Sequence, residues 1–159
     1  MAENEYEIHV EHRDEQPAVV VRGHVSMDEI GAFIGDAFTR ALAGLTGEGL
    51  APTGPPFALY SFPHDGIDLA AGFPCPPGAR GGDGVELIML PAGQVATTTH
   101  VGPYAGVAAA YNAITSWMSE NGMVAAGAPW ESYLDGPEVP MPRTVVCAPC
   151  RPADEVAGT

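Results

Sequence analysis

The chain has 159 residues, of which 46% are apolar and 16% charged, a composition typical of a globular domain rather than a disordered chain. It holds 20 acidic residues, six arginines and no lysine, so the formal net charge is −14. This charge argues against binding to nucleic acid or anionic lipid, and it favours neutral or cationic ligands. No apolar run approaches the roughly 20 residues of a membrane span and no signal peptide is evident, so we expect a soluble cytoplasmic protein.

The first half of the chain contains two strand patterns, one helix pattern and two further strand patterns. Ser26 followed by Glu29 is a capping box, which predicts a helix start. Apolar residues then recur at helical spacing, and Asp65–Gly66 is a turn signal between the later strands. The predicted elements are strands at 7–10 and 18–25, a helix at 30–45, and strands at 57–62 and 67–73.

The second half repeats this order after a segment rich in glycine and proline, 74–84, which is typical of a linker. Its helix has Pro103 at the predicted first position and Gly122 just past the predicted end. The predicted elements are strands at 86–90 and 95–100, a helix at 103–121, and strands at 130–134 and 144–147.

The recurrence extends to individual residues. His24 precedes the first helix as His100 precedes the second, and residues 54–60 share Gly, Pro, an aromatic residue and Tyr with residues 127–133. We therefore predict an α+β fold with a duplicated strand-strand-helix-strand-strand unit, pseudo-twofold symmetry and a central ligand cleft. The predicted half-repeats cover about 5–73 and 85–149 within a single domain.

The aligned halves differ at one informative position, where Ala58 in the first half matches Glu131 in the second. Strand alternation places Glu131 and Tyr133 on one face, as it does Ala58 and Tyr60. A carboxylate in an apolar site needs a partner, and an organic cation held between aromatic rings would supply one. The alternatives are a solvated Glu131 at a strand edge or one hydrogen-bonded to a tyrosine.

Two further tyrosines are candidates for the wall of the cleft. Tyr104 and Tyr111 fall seven residues apart on the predicted second helix, on one face with Val107 and Ile114. A buried phenol needs a polar partner, which favours a cleft wall, although core packing is the alternative. Of the two tryptophans, Trp117 is predicted to lie in the core and Trp130 to point away from Glu131.

The cysteines and most histidines do not form a recognisable reactive or metal site. Cys147 and Cys150 have the spacing of a redox motif, but they follow a strand rather than begin a helix. Cys75 alone does not complete a zinc site, and His9 and His12 would face opposite sides of a strand. We therefore expect no metal and no cofactor.

The order of several short motifs resembles the GyrI-like, or AraC-type effector-binding, domain family over roughly residues 5 to 149. No single motif is specific, but their order and spacing together are. The segments that carry the resemblance are 100–104, 110–111, 117–118 and 129–134 in the second half, and 54–60, 71–74 and 90–93 before it.

This resemblance implies a duplicated α+β fold with a central cleft that binds lipophilic, often cationic, small molecules. The carboxylate of the family's pocket falls on Glu131. In members fused to DNA-binding segments the domain is the drug sensor. Some free-standing relatives hydrolyse the cyclopropane ring of DNA-alkylating antibiotics, and another inhibits DNA gyrase as a protein partner.

Three functions follow as hypotheses. The leading one is multidrug or toxin binding for sensing, sequestration or antibiotic resistance, by a set of residues comprising Glu131, Tyr133, Tyr60, Tyr111 and Tyr104. The second is a cyclopropanoid hydrolase in which Glu131 activates water and Tyr104 or Tyr111 binds the substrate carbonyl. The third is an interaction with gyrase or a separate regulator. Since both helices belong to the repeat, we expect no helix-turn-helix and no direct nucleic-acid binding.

Overall fold

The computed structural model describes residues 6–61, 65–82, 84–103, 106–136 and 138–153. None of the helices formed by these residues is long and apolar enough to cross a membrane. The elements in chain order are β1 (His9–Arg13), β2 (Gln16–Val25), a short 3-10 turn (Met27–Glu29), α1 (Ile30–Gly47), β3 (Phe57–Ser61), β4 (Ile67–Pro74), β5 (Glu86–Leu90), β6 (Gly93–Val101), α2 (Ala108–Glu120), β7 (Met123–Ala125), β8 (Trp130–Tyr133) and β9 (Arg143–Pro152).

The chain divides into two compact units, each built from one helix on antiparallel strands. The unit of residues Glu15–Pro91 contains β2 to β5 and α1, and we call it the Ala58 unit. The unit of Met1–Asp14 and Ala92–Thr159 contains β1, β6 to β9 and α2, and we call it the Glu131 unit. This architecture confirms the predicted α+β class. The internal duplication stays a prediction.

In the Ala58 unit the strand order is β3-β4-β2-β5, and every pairing is antiparallel. The capping box forms at the start of the helical segment, where the Ser26 backbone N–H donates to the Glu29 carboxylate at 2.9 Å. Helix α1 packs on β2 and β4. The ring centroids of Phe38 on α1 and Phe73 on β4 are 5.7 Å apart. The helix buries its small and apolar positions, which include Ala37, Ala41 and Leu45.

In the Glu131 unit the strand order is β1-β6-β9-β8, and β7 pairs separately with β9. Helix α2 packs against β6, β7 and β9 and covers one face of these strands. The core between α2 and the strands consists of small and branched apolar side chains from both, namely Ala96, Ala110, Ile114, Val146 and Cys150. This packing fixes the position of the helix side chains over the strands.

The strand pairing differs from the boundaries of the predicted half-repeats in one respect. Strand β1 pairs with β6, and β5 pairs with β2, so the first strand of each predicted half joins the compact unit of the other. Hydrophobic alternation predicts that a strand forms but not its partner, which is why the sequence indicated the strands without this exchange. Strand β7 was not predicted, because three residues are too few to show a period.

Helix α2 begins at Ala108, five residues after the predicted start at Pro103. The Pro103 carbonyl accepts a hydrogen bond from the Gly106 backbone N–H at 3.0 Å, which is a turn, and a second one from His100 Nε2 at 2.9 Å. The predicted start of the helix at Pro103 is therefore wrong, and α2 is shorter than the proline signal indicated.

Candidate functional site

Polar side chains gather on one face of the Glu131 unit. Glu131 on β8 lies directly across from Val146 on β9, which in turn lies across from Thr98 on β6. Because side chains alternate along each strand, the next row on the same face is Tyr133, Thr144 and His100. These six residues are called the Glu131 face below. It is the side on which α2 packs, since Val146 belongs to the core beneath that helix.

Glu131 is held by two phenols. Tyr111 on α2 donates to Glu131 Oε2 at 2.7 Å, and Tyr133 on β8 donates to Oε1 at 2.9 Å. An ionised carboxylate only accepts hydrogen bonds, so one donor on each oxygen suits the charged form. The side chain is nevertheless enclosed, because only 8% of Glu131 is exposed. The predicted alternative of a hydrogen bond to tyrosine is thus present, and a solvated strand edge is excluded.

Burial raises the pKa of the Glu131 carboxyl above its ordinary value. The hydrogen bonds from Tyr111 and Tyr133, and the nearby His100, act on this pKa in the opposite direction but do not cancel the effect of burial. None of the described arginines forms an ion pair with Glu131. The carboxylate is therefore enclosed, and its described partners are two phenols rather than an arginine.

His100 fixes the segment that leads into α2. Its Nε2 donates to the Pro103 carbonyl, which can only accept, and its Nδ1 lies 2.9 Å from the Tyr6 hydroxyl. The Tyr6 and His100 rings are stacked with centroids 6.1 Å apart. Tyr6 was not predicted as part of this site, because its contact with His100 on β6 depends on the pairing of the N-terminal segment with β6, which the sequence does not indicate.

At four of the six positions that match the Glu131 face, the Ala58 unit has an apolar residue or glycine in place of a polar residue. The row that corresponds to Glu131, Val146 and Thr98 is Ala58, Ala71 and Val21. The next row, beginning at Tyr60, continues through Leu69 to Gly23. The predicted contrast between Ala58 and Glu131 is therefore part of a larger asymmetry that involves several strands.

This register also corrects the predicted equivalence of His24 and His100. His100 corresponds to Gly23, since each lies two strands across from the tyrosine of its unit. His24 points to the other face, where its Nδ1 lies 2.6 Å from Asp68 Oδ1. Hydrogen bonding to Asp68 raises the pKa of His24. A sequence alignment of two such short segments does not resolve an offset of one residue, but the offset reverses the face.

The structure brings together three of the five predicted site residues, Glu131, Tyr111 and Tyr133. Tyr60 is half-buried on β3 and belongs to the Ala58 unit. Tyr104 lies outside the described residues. Both remain predicted ligand contacts.

The tryptophans lie where the sequence placed them. Trp130 is 2% exposed, and alternation along β8 puts it on the face opposite to Glu131. Trp117 packs against the core beneath α2. Neither ring contributes to the Glu131 face.

The three cysteines are buried and unpaired. Cys147 and Cys150 are three residues apart on β9, so their side chains lie on opposite faces and cannot bond to each other. Burial raises the pKa of Cys147 to about 11, which keeps it a thiol at neutral pH. Within the described ranges no three His, Cys, Asp or Glu side chains are grouped so as to hold a metal ion.

A known family has this arrangement of elements. The profile of the GyrI-like small molecule binding domain matches residues 6–149, most of the chain. The chain belongs to the GyrI-like family. No curated protein matches this GyrI-like chain at a significant level.

Solved structures share the GyrI-like fold over almost their whole length. The EcmrR C-terminal domain is 20% identical with a TM-score of 0.78, over 92% of this chain and 98% of that one. The protein SAV2435 bound to tetraphenylphosphonium is 13% identical with a TM-score of 0.66, over 94% and 96%. A hydrolase from Listeria innocua is 13% identical with a TM-score of 0.69, over 91% and 92%. At these identities the likeness shows the fold.

Proposed function

We propose that this GyrI-like protein reversibly binds bulky lipophilic cations that carry aromatic groups, with Glu131 as the counter-charge. The observation that carries the proposal is the enclosed carboxylate itself. Burial of an acid without an internal cation costs free energy, which a cationic ligand offsets by pairing with it. The bound tetraphenylphosphonium of SAV2435, which shares the fold, is a ligand of this chemistry.

The tyrosines add a second source of attraction. Tyr111 and Tyr133 reach Glu131 from two different elements, so their rings lie next to the carboxylate. A cation within about 6 Å of an aromatic ring is attracted by the ring face, and the attraction increases when water is excluded. Tyr60 and Tyr104 are proposed to contribute further ring faces. The ligand would therefore be chosen by charge and aromatic surface more than by directed hydrogen bonds.

The proposal is tested by calorimetric titration of tetraphenylphosphonium into the wild type and Glu131→Gln. The substitution keeps the shape and one hydrogen-bond acceptor but removes the charge. We expect the affinity to fall by about 10- to 100-fold, since a paired charge in an enclosed site contributes on the order of 1.4–3 kcal/mol.

The matched control is Glu120→Gln, which removes one negative charge from the exposed end of α2. The net charge of −14 attracts any cation weakly, and this control measures that general contribution. Equal affinities for wild type and Glu131→Gln would contradict the proposal. Equal losses in Glu131→Gln and Glu120→Gln would reduce it to non-specific attraction.

A second candidate function is hydrolysis of a cyclopropane ring in a DNA-alkylating compound. The observation that favours it is the raised pKa of Glu131, which brings a carboxyl closer to the range useful for a general base at neutral pH. Glu131 would take a proton from water as the oxygen attacks a ring carbon. The breaking carbon–carbon bond would send its electron pair to the substrate carbonyl, which Tyr111 or Tyr104 would hydrogen-bond.

Mass spectrometry separates the two candidates. A hydrolase converts a duocarmycin-type cyclopropane compound into a product heavier by one water molecule, and Glu131→Gln abolishes the conversion. A binding protein returns the compound unchanged. A protein that acts only on gyrase or a regulator shows neither response and tolerates Glu131→Gln.

The proposed biological setting is cytoplasmic drug sensing, sequestration or resistance without direct contact with nucleic acid. The excess of acidic residues supports this, because phosphate groups are repelled by a net charge of −14. The three buried cysteines without disulfides are typical of a reducing compartment. A regulator that acts on DNA would then be a separate protein partner.

A further inference from the structure

Thr144 carries a buried hydroxyl that nothing in the described part of the chain satisfies. The residue is 0% exposed, and its Oγ1 has no hydrogen-bond partner. Buried hydroxyls are rarely left unpaired, because they lose their bonds to water and gain nothing in return. Such a group in a native protein needs an explanation.

The neighbours of Thr144 on the Glu131 face have other hydrogen-bond partners and do not supply one to its hydroxyl in this arrangement. Tyr133, across β8, already donates its hydroxyl hydrogen to Glu131. His100, across β6, has both ring nitrogens engaged, one with Tyr6 and one with Pro103. Within the described part of the chain, the Thr144 hydroxyl therefore has no partner, and Glu131 keeps lone pairs that can accept further hydrogen bonds.

The Ala58 unit shows that the fold does not need a hydroxyl at this position. Leu69 of β4 corresponds to Thr144, since it lies across from Tyr60 as Thr144 lies across from Tyr133. Leu69 is apolar and 3% exposed. The same strand position is thus filled well by a hydrocarbon side chain in the unit that lacks the carboxylate. The hydroxyl is thus present in the unit that has Glu131 and absent from the matching position of the other unit.

We propose that Thr144 is a specificity-determining residue whose hydroxyl accepts a hydrogen bond from an N–H group of a protonated amine bound at Glu131. The proposal rests on the function proposed above and names the ligand class more narrowly. An ammonium ion that carries two or more N–H hydrogens has donors for both Glu131 and Thr144. A quaternary onium ion has none, so it can use the charge of Glu131 and the aromatic rings but not the hydroxyl.

The contact forms on ligand binding, because the Thr144 hydroxyl is closed to solvent in the free protein. The ligand N–H group replaces the Tyr133 phenol at Glu131 Oε1. Tyr133 lies directly across from Thr144, so movement of its ring opens the space beside the threonine hydroxyl. Binding then satisfies a group that is unpaired in the free state.

The test compares one amine with and without its N–H hydrogens. The probes are desipramine, a tricyclic secondary amine whose protonated form carries two N–H hydrogens at pH 7, and its fully N-methylated quaternary salt. Affinities of both are measured by calorimetry for the wild type and for Thr144→Val, which replaces the hydroxyl with a methyl group of similar size. We expect the substitution to weaken desipramine binding by about tenfold, the value of one hydrogen bond, and to leave the affinity for the quaternary salt within about twofold.

Two further variants keep the test decisive. Thr144→Ser retains the hydroxyl and is expected to keep the wild-type preference for desipramine over the quaternary salt. Thr144→Ala removes the hydroxyl and is expected to lose that preference, which gives the answer even if the valine variant does not fold. An unchanged preference in the variants without a hydroxyl would overturn the inference.

Thermal unfolding of the free protein provides a readout that needs no ligand. Because the hydroxyl is unpaired, Thr144→Val is expected to raise the melting temperature by about 2–6 °C. A fall in melting temperature would show that the hydroxyl is already hydrogen-bonded in the free protein and would overturn the inference. If the wild type binds neither probe nor tetraphenylphosphonium, the proposed function fails. If the wild type binds both probes and the Thr144 variants bind each probe as tightly as the wild type does, only the proposed role of Thr144 fails.

Discussion

The Tyr111 hydroxyl lies 2.7 Å from Glu131 Oε2, and this hydrogen bond joins helix α2 to strand β8. A helix packed on a sheet by apolar contacts alone would not select the ionisation state of a carboxylate beneath it. Here the phenol on α2 donates to the charged form and opposes the rise in pKa that burial causes. The position of the helix and the charge of Glu131 are thus coupled.

Binding of a lipophilic cation should strengthen with rising pH. The pKa of Glu131 is raised in the free protein, so the acid is protonated over a wider range than usual. A cation binds the ionised form, and affinity therefore increases as the pH rises through the raised pKa and then levels off. Titrations of tetraphenylphosphonium between about pH 4.5 and 8 measure this effect. The profile should be flatter in Glu131→Gln, and equal slopes in the two proteins would contradict the account.

Removal of either phenol should shift the pH profile of cation binding to higher pH. Tyr111→Phe and Tyr133→Phe each delete one donor to the carboxylate, so the pKa of Glu131 should rise further. The midpoint of the affinity profile should move to higher pH. The free energy of unfolding at pH 7.5 should fall by about 1–2 kcal/mol, the cost of losing a hydrogen bond to a buried charged group.

The matched control for these variants is Tyr6→Phe, which removes a hydroxyl from His100 rather than from Glu131. It should leave the midpoint closer to the wild-type value than either of the other substitutions does. A profile that moves to lower pH in Tyr111→Phe would mean that the phenol stabilises the protonated acid instead.

Replacement by alanine should have opposite effects on stability at two of the glycines. A Cβ atom on Gly72 of β4 would overlap the backbone oxygen of Val19 on β2, whereas one on Gly35 of α1 meets nothing within 4 Å. Gly72→Ala should therefore destabilise the protein by about 3 kcal/mol or more, because backbone atoms of the strands must separate. Gly35→Ala should stabilise it by about 0.5–1 kcal/mol through higher helix propensity. Urea unfolding of both variants tests the pairing of β2 with β4.

The cysteines should resist modification in the folded protein. Cys147 is buried with a pKa raised to about 11, and burial also raises the pKa of Cys75 and Cys150. Iodoacetamide at pH 8 should leave the native chain unmodified in mass spectrometry over the time in which it alkylates all three thiols in guanidinium chloride. Rapid modification of Cys147 in the native protein would revive the redox interpretation of the motif.

The sequence predicted the local elements well and the long-range pairings poorly. Alternation and helical spacing depend on neighbouring residues, so both helices and all described strands except β7 were visible, as was the shared face of Glu131 and Tyr133. The approach of Tyr111 to Glu131 depends on where α2 packs, and the role of Thr144 depends on the register of β8, β9 and β6. Such contacts are set by tertiary structure, and a local pattern carries no information about them.

The comparison of half-repeats was informative at Glu131 and misleading at His24. A carboxylate aligned with an alanine is a large chemical difference, and it remains visible when the alignment is slightly wrong. The match of His24 with His100 required the correct register to one residue, and the structure places these side chains on opposite faces. The difference between Thr144 and Leu69, which occupy matching positions in the two units, would have been visible in the same comparison if the register had been known.

The most direct test of the central claim is a crystal structure with tetraphenylarsonium, whose arsenic atom can be located by anomalous scattering. The account predicts arsenic within about 6 Å of the Glu131 carboxylate and of the Tyr111 or Tyr133 ring, the range of charge pairing and cation–π contact. The same crystals of Glu131→Gln should show this site empty or weakly occupied. Arsenic bound elsewhere, with Tyr111 and Tyr133 still donating to Glu131, would contradict the account.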